Sequence, residues 1–273
     1  MKIGGFADAW RHRDNHGGKL MGESTGDREA RRDLAAAYQI ADRHGFNEGI
    51  HNHFTLMVPG STDRFLVIPY GLHWSEVTAS GLLTVGFDGT VESGEGEVEA
   101  SAVCIHGPIH RLNPSAACIL HTHMPFASAL TRLDGFRIEA TGQTEIGLRD
   151  EIAYDPLYTG IAYDVGEGER LAAVLGSKTI LFMSNHGVLV TGRSVAEAYN
   201  RLYYLERACR VQLFALWTGR PLKQVPEPIV MKTIAQFVNS PSRRHGRNMG
   251  SAELHFAALK RLLERKEPPD YRN

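Results

Sequence analysis

The stretch Cys118-Ile119-Leu120-His121-Thr122-His123 decides how this chain folds. Its apolar run reads as a β-strand, and successive strand side chains alternate faces, so His121 and His123 project together while Thr122 points the other way. Two imidazoles on one face make half a metal site. A second apolar run, Ile180-Leu181-Phe182-Met183, leads into Ser184-Asn185-His186-Gly187. If that run joins the same sheet, His186 closes a three-imidazole face and leaves at least one coordination position for water or substrate, as catalytic metal sites do. One histidine after a strand is most often a satisfied polar residue, and it is the pairing of His-Thr-His with Asn-His-Gly that points to a shared ion. A divalent ion that accepts imidazole ligands is expected there.

Working outward, residues 27–44 carry Leu34, Ala37, Tyr38 and Ala41 at helical spacing, with Gly45 placed to stop the helix. Short strands are expected at 54–58 and 65–68 around the turn Pro59-Gly60-Ser61-Thr62-Asp63, and at 82–87 before Asp88-Gly89. The Gly- and Glu-rich stretch 93–99 reads as too polar to pack, and Glu97 and Glu99 as solvated loop residues. A helix follows over 101–112, with Pro108 able to kink it. A short helix at 167–175, strands at 179–183 and 188–191, and a long helix from the cap Ser194 to about Trp217 complete the body. Two more helices are expected near 229–238 and 252–265. Residues 1–23 read as an N-terminal arm, 24–220 as the metal-binding domain and 221–273 as a C-terminal helical extension. The interleaving of strands and helices suggests an α/β sandwich with a mixed or antiparallel sheet.

With 273 residues, 42% hydrophobic content and a net charge of −1 from 30 basic and 31 acidic residues, the chain suits one sizeable core. That balance excludes a strong field for nucleic acid or an anionic membrane, and the cluster at 243–247 is too short to change this. Cys104, Cys118 and Cys209 are odd in number and set in apolar or helical surroundings, which points to a reducing, cytoplasmic setting without disulfides.

The order Asn52-His53, Pro69-Tyr70-Gly71-Leu72, Asp88-Gly89, His106 with Asn113-Pro114, His121-Thr122-His123 and Asn185-His186-Gly187 resembles the class II aldolase/adducin family over residues 28–218. The likeness is strongest to its bacterial adducin-like branch, where a segment like Tyr203-Tyr204-Leu205-Glu206-Arg207-Ala208-Cys209 follows the Asn-His-Gly turn. The resemblance implies an α/β/α sandwich around a nine-stranded, mixed and largely antiparallel sheet, with His121, His123 and His186 as metal ligands. It also implies one divalent ion per subunit, zinc first with manganese or iron(II) as alternatives, and a homotetramer with sites at subunit interfaces.

Two departures bear on mechanism. The family's aldolases carry an acid/base Glu four residues before the position of His106, and here that residue is Ala102, which cannot transfer a proton; Glu97 and Glu99 are possible substitutes, ranked below their reading as solvated loop residues. Where sugar-phosphate aldolases place Thr-Gly and Ser-Ser, this chain has Tyr70-Gly71 and Ala100-Ser101, so a non-phosphorylated substrate is expected. Asn52, His53, Tyr70, Gly71 and Ser101 are the expected substrate-binding residues, with His51 and Trp74 as further pocket-lining candidates. Glu48, His110 and Tyr154 are candidate acid/base groups, with Tyr163 beside them. The leading expectation is a metal-dependent lyase that cleaves a carbon–carbon bond of a small carbonyl or carboxylate compound, by aldol cleavage or decarboxylation. The alternatives are a non-catalytic adducin-like scaffold and an Fe(II)-dependent oxygenase.

Overall fold

The computed structural model describes residues 24–239, 250–265 and 271–273. The N-terminal arm expected over 1–23 and the basic cluster at 243–247 lie outside the described residues. Helix α1 (Thr25–Arg43) begins at Ser24, whose hydroxyl accepts from the Asp27 N–H, and ends before Gly45, which takes φ +70°. Its buried stripe includes the expected Leu34, Ala37, Tyr38 and Ala41.

Eight strands follow: β1 (Phe54–Met57), β2 (Arg64–Val67), β3 (Leu83–Gly86), β4 (Val91–Ser93), β5 (Cys118–Thr122), β6 (Ile152–Asp155), β7 (Ile180–Met183) and β8 (Val188–Gly192). They form one sheet in the order β4-β3-β2-β1-β5-β8-β7-β6, antiparallel throughout except for the parallel pair β6–β7. The α/β class and the mixed, largely antiparallel sheet agree with expectation. Eight strands, rather than nine, are present among the described residues.

The helices are α2 (Gly107–Leu112), α3 (Pro125–Leu130), α4 (Gln143–Leu148), α5 (Val165–Leu175), α6 (Val195–Trp217), α7 (Glu227–Val238) and α8 (Ser251–Leu263). The alternation of β5, β7 and β8 divides the core. Cys118, Leu120, Ile180, Phe182, Val188 and Val190 pack toward α1, α6 and α8, while Ile119, Leu181, Met183 and Leu189 pack toward α2 and α5. At the C-terminal end, Phe256, Leu259, Leu263 and Tyr271 are buried in the same cluster as α1 and α6.

Three local expectations change. The helix expected over 101–112 opens as a π turn (Ala102–His106) before α2. Pro108 has no N–H to offer the Cys104 carbonyl, four residues back, and α5 crosses closely there, so that a Cβ on Gly168 would lie 2.0 Å from that oxygen. In the stretch 93–99, Val98 packs on the core and Glu99 is half-buried, so the segment is not simply solvated. Trp74 is fully buried against Tyr38 and Phe54 and belongs to the core, not to a ligand pocket. Among the described residues, no helix is long and apolar enough to cross a membrane.

Candidate metal centre

Strand alternation carries His121 and His123 to one face, and the turn between β7 and β8 brings His186 to meet them. Their ring centroids lie 5.0 Å (121–123), 4.9 Å (121–186) and 4.8 Å (123–186) apart. One ring nitrogen from each lies within 4.8 Å of the others. The turn is shaped for this approach. Asn185 takes φ +56° and donates its N–H to the Thr131 carbonyl at 3.0 Å. Gly187 passes so close to β5 that a Cβ would come 2.5 Å from the Thr122 carbonyl oxygen.

The rings are pre-oriented. His121 Nδ1–H donates to the Val188 carbonyl at 3.0 Å, and His123 Nδ1–H donates to Glu48 Oε2 at 2.5 Å, which leaves the Nε2 lone pairs free. His123 Nε2 is buried and has no hydrogen-bond partner, a costly state for a polar atom unless an ion takes the lone pair. Burial, reinforced by the neighbouring imidazoles, drives the pKa of His121 well below its ordinary value and that of His186 to about 4. Both are therefore neutral near pH 7, the form that binds a metal. The donor set fits a divalent ion.

Glu48 thus stands behind His123, and Asn52, at φ +70°, accepts the His123 N–H on its Oδ1 at 2.9 Å. Asn52 and His53, just before β1, are buried and brace the site. His53 also starts a line of hydrogen bonds whose direction is fixed at its far end. His110 Nδ1–H donates to the Ala116 carbonyl (2.7 Å), so His110 Nε2 must accept from Thr55 Oγ1–H (2.8 Å). Thr55 in turn accepts from His106 Nδ1–H (2.7 Å), and His106 Nε2 accepts from His53 Nδ1–H (3.1 Å). Ser101 Oγ then faces His53 Nε2 at 3.1 Å. His110 is therefore a buried structural partner away from the three histidines rather than a member of their cluster.

Glu99 was read as solvated rather than as a substitute for the missing glutamate, because the Gly- and Glu-rich composition around it gives no sign of its half-burial. Burial raises its pKa, against hydrogen bonding from Ser101 and the charges of His51 and His123. Since Ser101 has one proton, it serves Glu99 when that carboxyl is ionised and His53 when it is protonated. Of the remaining candidates, Tyr154 lies on β6, where its hydroxyl accepts the Ile138 N–H at 2.9 Å and its ring stacks on Phe182. Tyr163 is exposed beyond β6. Tyr70 is exposed next to Gly71 (φ +91°), and neither joins the histidines. An unforeseen neighbour is Tyr158, whose ring meets His186 edge-on at 6.4 Å.

The family model described as the class II aldolase and adducin N-terminal domain matches residues 32–213. A Pseudomonas aeruginosa protein described as a candidate class 2 aldolase is 32% identical over 242 residues, covering 88% of this chain and 91% of that protein. Alpha-adducin of Rattus norvegicus is 31% identical over 265 residues, covering 92% of this chain but 35% of the longer protein. A crystal structure of an aldolase II superfamily protein from Pseudomonas syringae superposes with a TM-score of 0.82 at 34% identity, covering 92% of this chain and 97% of that one. With this match in sequence and in fold, the chain belongs to the class II aldolase/adducin family.

Proposed function

We propose that the protein is a divalent-metal-dependent lyase that cleaves a carbon–carbon bond of a small, non-phosphorylated carbonyl or carboxylate compound. The observation that carries this reading is the buried, unpartnered Nε2 of His123, converged on by His121 and His186 and held in its tautomer by Glu48. His121, His123 and His186 would hold the ion, zinc in the first instance, and a bound ion supplies Lewis-acid polarisation of a substrate oxygen.

The chain's own contribution is positional and protonic. Ala102 is fully buried at the opening of the π turn and has no proton to give. Glu99, three residues earlier, takes the acid/base role in this proposal: burial favours its protonated form, and Ser101 can reorient to follow its proton. Decarboxylation makes less demand on such a base than aldol cleavage, because no hydroxyl need be deprotonated.

The test is elemental analysis of the purified protein and of His121→Ala, His123→Ala and His186→Ala, followed by a screen of hydroxy-carbonyl and keto-acid substrates. About one zinc, manganese or iron per chain, lost in each variant, is expected. Glu99→Gln should keep the metal and lose roughly a hundredfold or more in kcat. A wild-type protein that stays metal-free after divalent-ion loading would leave a non-catalytic adducin-like module, the reading that Ala102 and the alpha-adducin likeness favour.

A further inference from the structure

A cavity of about 290 Å³ opens beside the metal turn, on the side from which Ser184 and Asn185 lead into His186. Its wall includes Thr131, Arg132, Arg137, Tyr154, Ser184 and Asn185. The Asn185 N–H bond to the Thr131 carbonyl fastens that wall to the turn carrying His186. Two guanidinium groups therefore border one cavity.

Neither is spent on a carboxylate. Arg132 donates from Nη1 to the Ser128 carbonyl and to Thr131 Oγ1. Arg137 donates from Nη1 to the Phe136 carbonyl at 2.6 Å and lies over the Tyr154 ring, 4.3 Å from its centroid. Among the described residues no ion pair involves either one. Each guanidinium has five N–H donors, so most remain for a ligand. Of the two acids bordering the cavity, Asp155 is already clasped by Arg170 at 2.9 and 2.6 Å. Asp134 alone remains against two fixed positive charges, and the balance favours an anion.

We propose that this cavity binds an oxyanion, a carboxylate or phosphate group, at Arg132 and Arg137. Taken with the lyase reading, on which this extension rests, the substrate carries an anionic group at a distance from the oxygen polarised at the histidines. Tyr154 and Ser184 would line its path.

Isothermal titration of the full-length protein with malonate, and separately with inorganic phosphate, tests the site. Wild type should bind at least one of them, and the double variant Arg132→Gln/Arg137→Gln should bind it at least roughly tenfold more weakly, as two charge-assisted contacts are lost. Both arginines are exposed, so the variant should keep the wild-type circular dichroism and urea midpoint. Malonate binding alone assigns a carboxylate ligand, whereas phosphate binding alone keeps the oxyanion site and overturns the non-phosphorylated part of the lyase reading. His121→Ala separates the two proposals. If the cavity is the site, this variant binds the anion as wild type does even when it holds no metal, and the result stands whether or not the lyase reading does. Binding that vanishes in His121→Ala but survives in the arginine variant would place the anion on the metal and overturn the proposal, as would a wild type that binds neither probe.

Discussion

At position 187 there is room for a hydrogen and nothing larger, because a Cβ would meet the Thr122 carbonyl oxygen at 2.5 Å and His123 Cδ2 at 2.6 Å. Gly187→Ala should therefore push the turn from β5 and separate His186 from its two partners. The expected outcome is loss of bound metal by elemental analysis in a chain that still folds, with a stability cost of about 1–3 kcal/mol. Metal content equal to wild type would show that the turn has slack. Glu48 acts differently, by holding His123 Nδ1–H at 2.5 Å without touching the free Nε2. Glu48→Ala frees the ring to rotate, and metal affinity measured against a competing chelator should fall roughly ten- to a hundredfold. These residues were legible to different degrees. His121, His123 and His186 could be read because strand alternation and the Asn-His-Gly turn are local signals. Glu48 was read as a candidate acid/base group, and its role on His123 comes from a contact across 75 positions. Glu99 was read as solvated because the surrounding Gly and Glu composition hides both the burial that raises its pKa and the groups that oppose it, Ser101, His51 and His123.

The elements legible in the sequence are those that carry their own punctuation. Ser24 and Ser194 accept the N–H groups of Asp27 and Glu197 at the starts of α1 and α6, and Gly45 and Gly176 follow the ends of α1 and α5 with positive φ. Helices α3 and α4, six residues each, are too short to show a period, and β6 was missed because Ile-Ala-Tyr-Asp lacks a sustained apolar run. The π turn before α2 was hidden for another reason: Pro108 announces a broken hydrogen bond but not the helix that crosses the break. That helix is α5, and Gly168 is its point of contact. Since an added Cβ would stand 2.0 Å from the Cys104 carbonyl oxygen, a backbone atom that cannot rotate away, Gly168→Ala should force α5 off the π turn. A destabilisation of about 3 kcal/mol is expected from urea unfolding. A change below about 0.5 kcal/mol, the range of ordinary surface substitutions, would mean that the two elements are not packed as described.

Across the whole molecule, the line from Ser101 through His53, His106, Thr55 and His110 to the Ala116 carbonyl joins the metal face to the far side of β1, and it makes stability a function of pH. Burial lowers the pKa of His110 from 6.5 to about 4, and that of His53, with the help of His123 and His186, to about 3. His106 is likewise pushed well below its ordinary value by burial and by its histidine neighbours. Each folded pKa thus lies below the unfolded one, so below pH 6.5 the unfolded chain binds protons that the folded chain refuses. The stability held by these groups is complete above about pH 6.5 and is lost as the pH falls toward 4 and then 3. Between pH 6 and pH 5 most carboxylates are still ionised, and the three histidines of the line give a slope approaching three protons, or about 4 kcal/mol per pH unit, to which His121 and His186 add with the same sign when no metal is bound. Glu99 and Glu206, both with raised pKa, each oppose this by at most one proton. Urea unfolding across that interval, on protein stripped of metal by a chelator, reads the slope directly. Thr55→Val removes the hydroxyl on which the line turns and leaves His106 Nδ1–H and His110 Nε2 buried without a partner, which should cost about 2–4 kcal/mol at pH 7.5, where the histidines of both states are neutral. A flat stability profile from pH 6 to 5 in the wild type would mean that these imidazoles take up protons in the folded state, and that the one-way hydrogen-bond line is not what holds β1 against the π turn.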